Sequence, residues 1–270
     1  MGNRLEGFVV PASSAQRRMY FATALRPDDP AHIWGTALTV DGHLEIDRLD
    51  RALKVIRRRH GALRTTILEH DGDVFQVVHD PDEFDPQFTL VEFVVAEGES
   101  IDDRRECAHE EVRRAIDTPF DLVSGPLWRT VVIRVAPTMH LLAISFHHII
   151  TDEVSAQVFA DDLRLAYTDP DSLTASVTQY SDYCRAESGA GVDHAGLDYW
   201  RDQLASVRPV RPPEDGDPRS HGAVGGCLPI ALPENAVVDL EAFCRERGVS
   251  PFAGMLAVYF IVLQRWGGTP

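Results

Sequence analysis

Two adjacent histidines followed by a carboxylate are the part of this sequence best suited to chemistry. His147 and His148 come directly after the apolar run 141–146, and Asp152 follows them after three residues. An imidazole titrates near neutral pH, so it can take a proton from a reacting group or hold that group in place. This spacing predicts a site of proton transfer, with His147, His148 and Asp152 as its candidate residues.

The flanking pattern places these residues at a turn between a strand and a helix. Residues 139–146 are almost continuously apolar, which is typical of a buried strand. Apolar residues at 156, 159, 163 and 166 have helical spacing and predict a helix over 152–168. Asp152 is a good N-cap for that helix, where its carboxylate also meets the positive end of the helix dipole. Polar groups at such a turn can face a cleft.

The rest of the chain predicts a mixed sheet flanked by helices, an α/β fold. Helix 15–25 has Ser13 or Ser14 as its N-cap, and a hairpin turns at Asp71-Gly72. A Pro- and Gly-rich stretch, 209–226, predicts a linker or crossover. The other predicted strands are 35–40, 88–95, 127–135 and 226–232, and the other helices are 46–56, 101–116, 234–247, 251–266 and two that begin at Gln179 and Asp193.

Composition indicates a soluble globular protein. The 270 residues are 44% hydrophobic, which is ample for a buried core. A net charge of −16 disfavours nucleic acids and anionic membrane surfaces as partners. No apolar run approaches the ~20 residues of a membrane span, and the first residues lack the pattern of a signal peptide, so we expect a cytoplasmic protein. The four cysteines form no CxxC pair, so neither a disulfide framework nor a zinc site is predicted.

Several ordered motifs resemble those of one enzyme family. The segment 147–153 is similar to the HHxxxDG motif of nonribosomal peptide synthetase condensation domains and related acyltransferases of the chloramphenicol acetyltransferase type. Companion motifs follow the family's order over nearly the whole chain. They are Ser14–Tyr20, Arg59–Thr65, Pro119–Leu122 with Gly125–Leu127, Gln179–Tyr183, Tyr199–Trp200 and Ser250–Phe252.

The resemblance implies a fold and a reaction. The fold would be a chloramphenicol acetyltransferase-like α/β lobe, with a second lobe that is incomplete. The enzyme would be an acyltransferase that joins a carrier-bound acyl or peptidyl thioester to the amine of a carrier-bound aminoacyl acceptor. His148 would then be the catalytic imidazole and His147 its more buried partner. No permanently bound cofactor or metal is implied; the phosphopantetheine arms of the carrier proteins tether the substrates.

The resemblance also implies boundaries and partners. Residues 1–174 would form the N-terminal lobe, 175–225 a helical crossover and 226–270 the start of a truncated C-terminal lobe. Donor and acceptor carrier proteins are the expected partners, together with an adjacent adenylation domain. An incomplete second lobe predicts self-association or completion by another chain, and a start at Met1 would make this domain the first of its polypeptide.

Asp152 and three supporting residues, Arg64, Glu153 and Ser155, complete the candidate site. Asp152 is expected to be structural and to pair with an arginine, Arg64 first and Arg17 second. Glu153 stands where the family has glycine; it would either raise the pKa of His148 and narrow the channel, or point outward in the first helical turn. Ser155 supports the site but lacks the GxSxG context of a nucleophile.

Other features allow a structural reading. Arg57, Arg58 and Arg59 are interpreted as a solvated helix face, with carrier docking as the alternative. A metal site that uses His148 and Asp152 lacks a third ligand. Two further functions stay open besides condensation: a stand-alone acyltransferase that makes an amide or ester with a free acceptor, and a catalytically silent module that recruits partners.

Overall fold

The computed structural model of the chain describes residues 8–82, 87–92, 100–173, 177–207 and 229–267. These residues separate into two compact units, Met1–Gly191 and Val192–Pro270. The strands are β1 Phe8–Pro11, β2 Ile33–Asp41, β3 Thr65–His70, β4 Asp73–Val78, β5 Gln87–Glu92, β6 Trp128–Ala136 and β7 Met139–His147. The helices are α1 Ser14–Leu25, α2 Ile46–Arg59, α3 Ile101–Asp117, α4 Glu153–Thr168, α5 Tyr180–Ala190, α6 His194–Leu204, α7 Glu234–Glu246 and α8 Pro251–Gly267.

The described residues of the first unit form two sheets. A four-stranded sheet has the order β2-β7-β6-β5, with β5 parallel to β6 and the other pairs antiparallel. An antiparallel three-stranded sheet has the order β1-β4-β3. The β3–β4 hairpin turns at Asp71 and Gly72, whose φ angles of 53° and 87° suit the predicted Asp-Gly turn. A mixed and an antiparallel sheet, flanked by helices, confirm the predicted α/β fold class.

The core of the first unit surrounds β7, the strand that carries the histidines. Trp128, Phe146 and Phe159 pack ring against ring, at centroid distances of 5.0–6.3 Å. The first two lie on paired strands and the third on α4, so this aromatic cluster fixes α4 against the sheet. The end of β7 and the start of α4 are therefore held by rigid elements on both sides.

The arginines at the end of α2 are not a solvated face, so that interpretation is wrong for two of them. Arg57 is only 5% exposed, because it lies on the side of α2 that packs into the unit. Arg59 donates its Nε to Asp162 on α4 at 3.0 Å, and His60 contacts the same carboxylate oxygen at 2.6 Å. Arg58 is exposed and pairs with Asp82. The second motif therefore ties α2 to α4.

Asp162→Ala is expected to lower the free energy of unfolding by about 1.5–3 kcal/mol, the usual range for a hydrogen bond to a charged group. The substitution leaves Arg59 and His60 facing each other without their shared carboxylate. Urea unfolding would measure the change. Asp161→Ala is the matched control, because this neighbouring aspartate is exposed and, among the described residues, accepts one long contact, from Gln157 at 3.4 Å. Equal losses in the two variants would contradict the structural role of Asp162.

In the described residues, the second unit contains α6, α7 and α8.

Helices begin after Gln179, in the first unit, and after Asp193, in the second, as predicted; their first residues are Tyr180 and His194. The predicted linker 209–226 lies outside the described residues. The predicted strand 226–232 is wrong in its described part, 229–232, which is irregular because no strand of the described chain pairs with it. The predicted lobe boundaries at 174 and 225 stay predictions.

No single helix of the described chain is both long and apolar enough to cross a membrane. Two helical segments, Asn235–Glu246 and Pro251–Trp266, are together long and apolar enough for a membrane span, but they meet at a bend of 110°.

Candidate active site

Backbone hydrogen bonds hold the two histidines at the end of β7. The amide of His147 donates to the carbonyl of Leu127 at 2.9 Å, as a continuation of the β6–β7 pairing. The amide of His148 donates to the carbonyl of His32, the residue before β2, at 2.8 Å. The chain then turns and begins α4 at Glu153. The predicted place of the pair, between a strand and a helix, is confirmed by these elements.

His147 is a buried, neutral histidine. Its side chain is 2% exposed, and its Nδ1 accepts the amide of Ile149 at 3.0 Å. An accepting Nδ1 carries no proton, so the ring proton is on Nε2, which donates to Oγ1 of Thr23 at 3.3 Å. Burial, with smaller contributions from the neighbouring His32 and His148, lowers the pKa of His147 to about 4. The ring therefore braces the turn and is uncharged at neutral pH.

His148 presents the other tautomer. Its Nδ1 lies 3.3 Å from the carbonyl of Thr151, and a carbonyl only accepts, so Nδ1 is the protonated nitrogen of the neutral ring. The lone pair is then on Nε2, for which the described residues provide no hydrogen-bond partner. The side chain is half-buried, so Nε2 can be reached from outside. This arrangement suits a general base.

Asp152 is the N-cap of α4. Its Oδ1 accepts from the amide of Ser155 at 2.8 Å and from the hydroxyl of Ser155 at 2.6 Å. These bonds hold the pKa of the Asp152 carboxyl below its ordinary value, since they stabilise the charged form. The supporting place of Ser155 is thus a direct contact with the motif aspartate.

The expected ion pair between Asp152 and Arg64 is absent from the described residues. Asp152 is exposed, so its charge is solvated and needs no arginine. Arg64 instead donates to the carbonyl of His79, and burial lowers its pKa. The weaker candidate, Arg17, is exposed on α1 and pairs with no described residue near the motif. The pairing prediction was wrong because it assumed a buried carboxylate.

Glu153 is the first residue of α4, and its side chain is exposed. A carboxylate in the first helical turn faces the positive end of the helix dipole, which favours it there. No described hydrogen bond or ion pair joins Glu153 to His148. Of the two alternatives that the sequence left open, the exposed position in the first turn agrees with the structure.

With this geometry established, the chain can be compared with known proteins. The family model of the condensation domain matches residues 8–270, nearly the entire chain. The chain belongs to the condensation domain family. The resemblance that the ordered motifs indicated is therefore confirmed.

Curated relatives of this condensation domain are much longer synthases. Chondramide synthase of Chondromyces crocatus is 32% identical over 275 residues, which cover 96% of this chain and 7% of the relative. Enniatin synthase of Fusarium equiseti is 30% identical over 266 residues, which cover 94% of the chain and 8% of the relative. The chain thus spans a small part of each of these synthases.

Solved structures share the fold of this condensation domain. The X-domain from teicoplanin biosynthesis superposes with a TM-score of 0.77 at 23% identity, over 98% of this chain and 60% of that one. The starter condensation domain of rhizomide synthetase gives 0.63 at 19% identity, over 75% of this chain and 49% of that one. At these identities the likeness concerns the fold, and it covers about half to three fifths of the known structures.

Three residues of the condensation domain site were missed as functional by sequence reasoning. Thr23 receives the Nε2 proton of His147, and Gln16 donates its side-chain amide to the carbonyl of Ile149 at 3.2 Å. The ring of His32 lies 6.1 Å from that of His147, measured between centroids. Gln16 stands inside the first motif, which was a usable signal. Thr23 and His32 have no local pattern that points to them, since only the fold brings α1 and β2 to the end of β7.

Asp152→Ala is expected to lower the free energy of unfolding by about 0.5–2 kcal/mol, because α4 loses its N-cap. Asp152→Asn is the matched comparison, since an amide oxygen can still accept from Ser155 and should retain most of the stability. Urea unfolding of both variants would check this. If the asparagine variant lost as much stability as the alanine variant, the charge of Asp152 would matter more than its cap.

Proposed function

We propose that this chain catalyses condensation, the transfer of an acyl or peptidyl group from a carrier-bound thioester to the amine of a carrier-bound aminoacyl acceptor. The observation that supports this best is the tautomer of His148. With Nδ1 donating to Thr151, the accessible Nε2 is left as the basic nitrogen of a neutral ring. Membership of the condensation domain family supplies the substrate class.

The chemistry follows from that nitrogen. The acceptor amine attacks the thioester carbonyl carbon, a C–N bond forms and the C–S bond breaks. The amine proton passes to Nε2 of His148 and then to the departing thiolate, so the imidazole returns to its neutral form. Proton transfer of this kind contributes about 10²- to 10⁴-fold in rate. No covalent bond between the enzyme and the acyl group is required.

The rest of the motif would hold the base in place. His147, buried and uncharged, braces the turn through Ile149 and Thr23. Asp152 and Ser155 fix the first turn of α4. A donor and an acceptor carrier protein would bring the two substrates on their phosphopantetheine arms. Holding both substrates in one ordered complex would raise the reaction rate further, because the reacting groups no longer have to meet by diffusion. An adjacent adenylation domain and a cytoplasmic location belong to the same proposal.

A silent recruitment module is the second candidate, and Glu153 is the observation that favours it. A carboxylate occupies the position that is glycine in the family motif, next to the aspartate that caps α4. Its exposed side chain adds a negative charge beside the turn, which a glycine would not carry. Recovery of transfer activity by Glu153→Gly, from an inactive parent, would favour this second reading.

The test is an intact-mass assay of transfer between donor-loaded and acceptor-loaded carrier proteins, with this chain as the catalyst. A mass gain on the acceptor carrier, equal to the donor acyl group, is the expected result. A free amine acceptor assayed in parallel separates a stand-alone acyltransferase from a condensation domain. Hydrolysis of the donor without transfer to any acceptor, over a series of donors, would contradict the proposal.

A further inference from the structure

Arg129, on β6, gathers three carbonyl groups at the end of α3. Its Nη1 donates to the carbonyls of Thr118 at 2.9 Å and Ala115 at 3.3 Å, and its Nη2 donates to that of Pro119 at 3.1 Å. Burial lowers the pKa of this guanidinium, which still stays charged at ordinary pH. A half-buried guanidinium costs less free energy when acceptors such as these carbonyls take up its donors, so the guanidinium and the carbonyls hold each other in place.

The same guanidinium lies on the ring of Phe120. The distance from Cζ of Arg129 to the ring centroid is 3.9 Å, a close cation–π contact. The Phe120 ring also meets His147 edge to face, at 6.5 Å between centroids and an angle of 79°. Phe120 is 7% exposed and therefore has little freedom to move between these neighbours. One contact chain thus runs from Arg129 through Phe120 to His147.

Phe120, which contacts His147, also lines two open pockets. A pocket of about 520 Å³ lies on the side of Arg129, Arg114 and Val131, and Phe120 is part of its wall. A second pocket, of about 410 Å³, is lined by Phe120 together with Tyr20 and Thr23, the hydroxyl partner of His147. A shift of the Phe120 ring would therefore open a path for water from either pocket to the buried imidazole.

We propose that Arg129 is a positioning residue of the histidine pair, which holds Phe120 as the partition between these pockets and His147. Lysine cannot replace it, because an ammonium group has no planar face for the ring and no rigid fork to span the three carbonyls. The role extends the proposed function, since His147 braces the turn that carries His148. It concerns the hydration of His147 and involves no turnover.

The experiment is an NMR titration of the histidine rings in the full chain, between pH 7.5 and 3.5, for wild type and Arg129→Lys. The ring signal that disappears in His147→Asn is assigned to His147. In Arg129→Lys, water reaches the imidazole, and the pKa of His147 is expected to rise from about 4 by about one unit or more toward 6.5. The titratable neighbours of His147, namely His32 and His148, are present in both proteins, so their contribution to its pKa cancels.

Two references make the result specific. His140 is also buried on β7, and burial lowers its pKa, but it pairs with Arg134 and not with Arg129, so its titration should not change. Arg113→Lys makes the same chemical change at an exposed position of α3 and should leave both histidines as in wild type.

A selective rise in the pKa of His147 supports the proposal. An unchanged His147 in a folded Arg129→Lys protein overturns it, and so does a parallel rise in His140, which would show general loosening of the sheet. Arg129→Gln is the second variant if the lysine variant does not fold. Failure of both to fold would also overturn the proposal, because Arg129 would then be a determinant of the fold. If the wild-type chain shows no transfer activity while the pKa of His147 still rises selectively in Arg129→Lys, the proposed function is refuted and the role of Arg129 is kept.

Discussion

His148→Ala is expected to slow amide formation about 10²- to 10⁴-fold, the contribution of a well-placed general base. The variant loses Nε2, the accessible basic nitrogen of the site, while the backbone turn stays in place. That turn depends on the amide of His148, which donates to His32, and on His147, which the substitution does not touch. Single-turnover transfer between loaded carrier proteins, followed by intact mass, would measure the rate.

The stability of His148→Ala should change little. The side chain is half-buried and makes one hydrogen bond, to Thr151, so about 1 kcal/mol of unfolding free energy is at stake. His109→Ala is the matched control, because His109 also uses Nδ1 to bond a nearby carbonyl, that of Arg105 at 2.5 Å, but it is exposed on α3. The His109→Ala protein should catalyse acyl transfer at the wild-type rate.

The opposite outcome would also be informative. If His148→Ala kept its rate to within about tenfold, proton transfer by this imidazole would not limit the reaction. Positioning of the two substrates would then carry the catalysis, and the attacking amine would lose its proton to water or to the thiolate. A loss of rate in both His148→Ala and His109→Ala would point instead to an effect on folding.

The parts of the fold that could be predicted from the sequence are those set by local patterns. The apolar run of β7, the helical spacing of α4 and the capping aspartate between them place the histidine pair without any long-range information. The Asp-Gly hairpin is equally local, because positive φ angles are required at its two central residues. Strand β1 has only four residues, which is too short for a periodic signal.

The parts that could not be predicted depend on which elements meet in space. Sequence reasoning assumed that Asp152 is buried and needs Arg64, but the direction of the first turn of α4 exposes it. The same reasoning treated Arg57 and Arg59 as solvated, because a run of three arginines looks polar. Only the packing of α2 against α4 shows that Arg59 forms an ion pair with Asp162. The contact chain from Arg129 to His147 likewise joins residues that are 18 positions apart in the sequence.

Acidification is expected to destabilise the protein through protonation of His147. This loss of stability begins at a higher pH than the loss that follows from protonation of carboxylates. The pKa of this histidine is lowered from 6.5 to about 4, so the folded state favours the neutral ring. The stabilisation is fully present above pH 6.5 and is lost as the pH falls toward 4, because the unfolded chain binds the proton first. A shift of this size corresponds to about 3 kcal/mol of unfolding free energy.

His147→Asn isolates this contribution. Its side-chain oxygen can still accept the amide of Ile149, but it does not titrate, so the fall in stability between pH 6.5 and 4 should be about 3 kcal/mol smaller than in wild type. Its stability at pH 7 should be lower, because the contact with Thr23 is lost. Urea unfolding at steps of half a pH unit would resolve both effects.

Two comparisons separate His147 from other acid-sensitive groups. His70→Asn changes a histidine whose side chain is 74% exposed, and its pH profile should match that of wild type. His140, whose pKa burial also lowers, contributes in the same direction in every variant and leaves a residual slope in His147→Asn. Hydrogen bonds from Ser124 and Ser155 hold the pKa values of the Asp121 and Asp152 carboxyls below their ordinary range, so the stability that these groups contribute is lost at lower pH. An equal slope in wild type and His147→Asn would mean that water already reaches this ring in the folded protein, and that the buried half of the histidine pair is not held neutral by the fold.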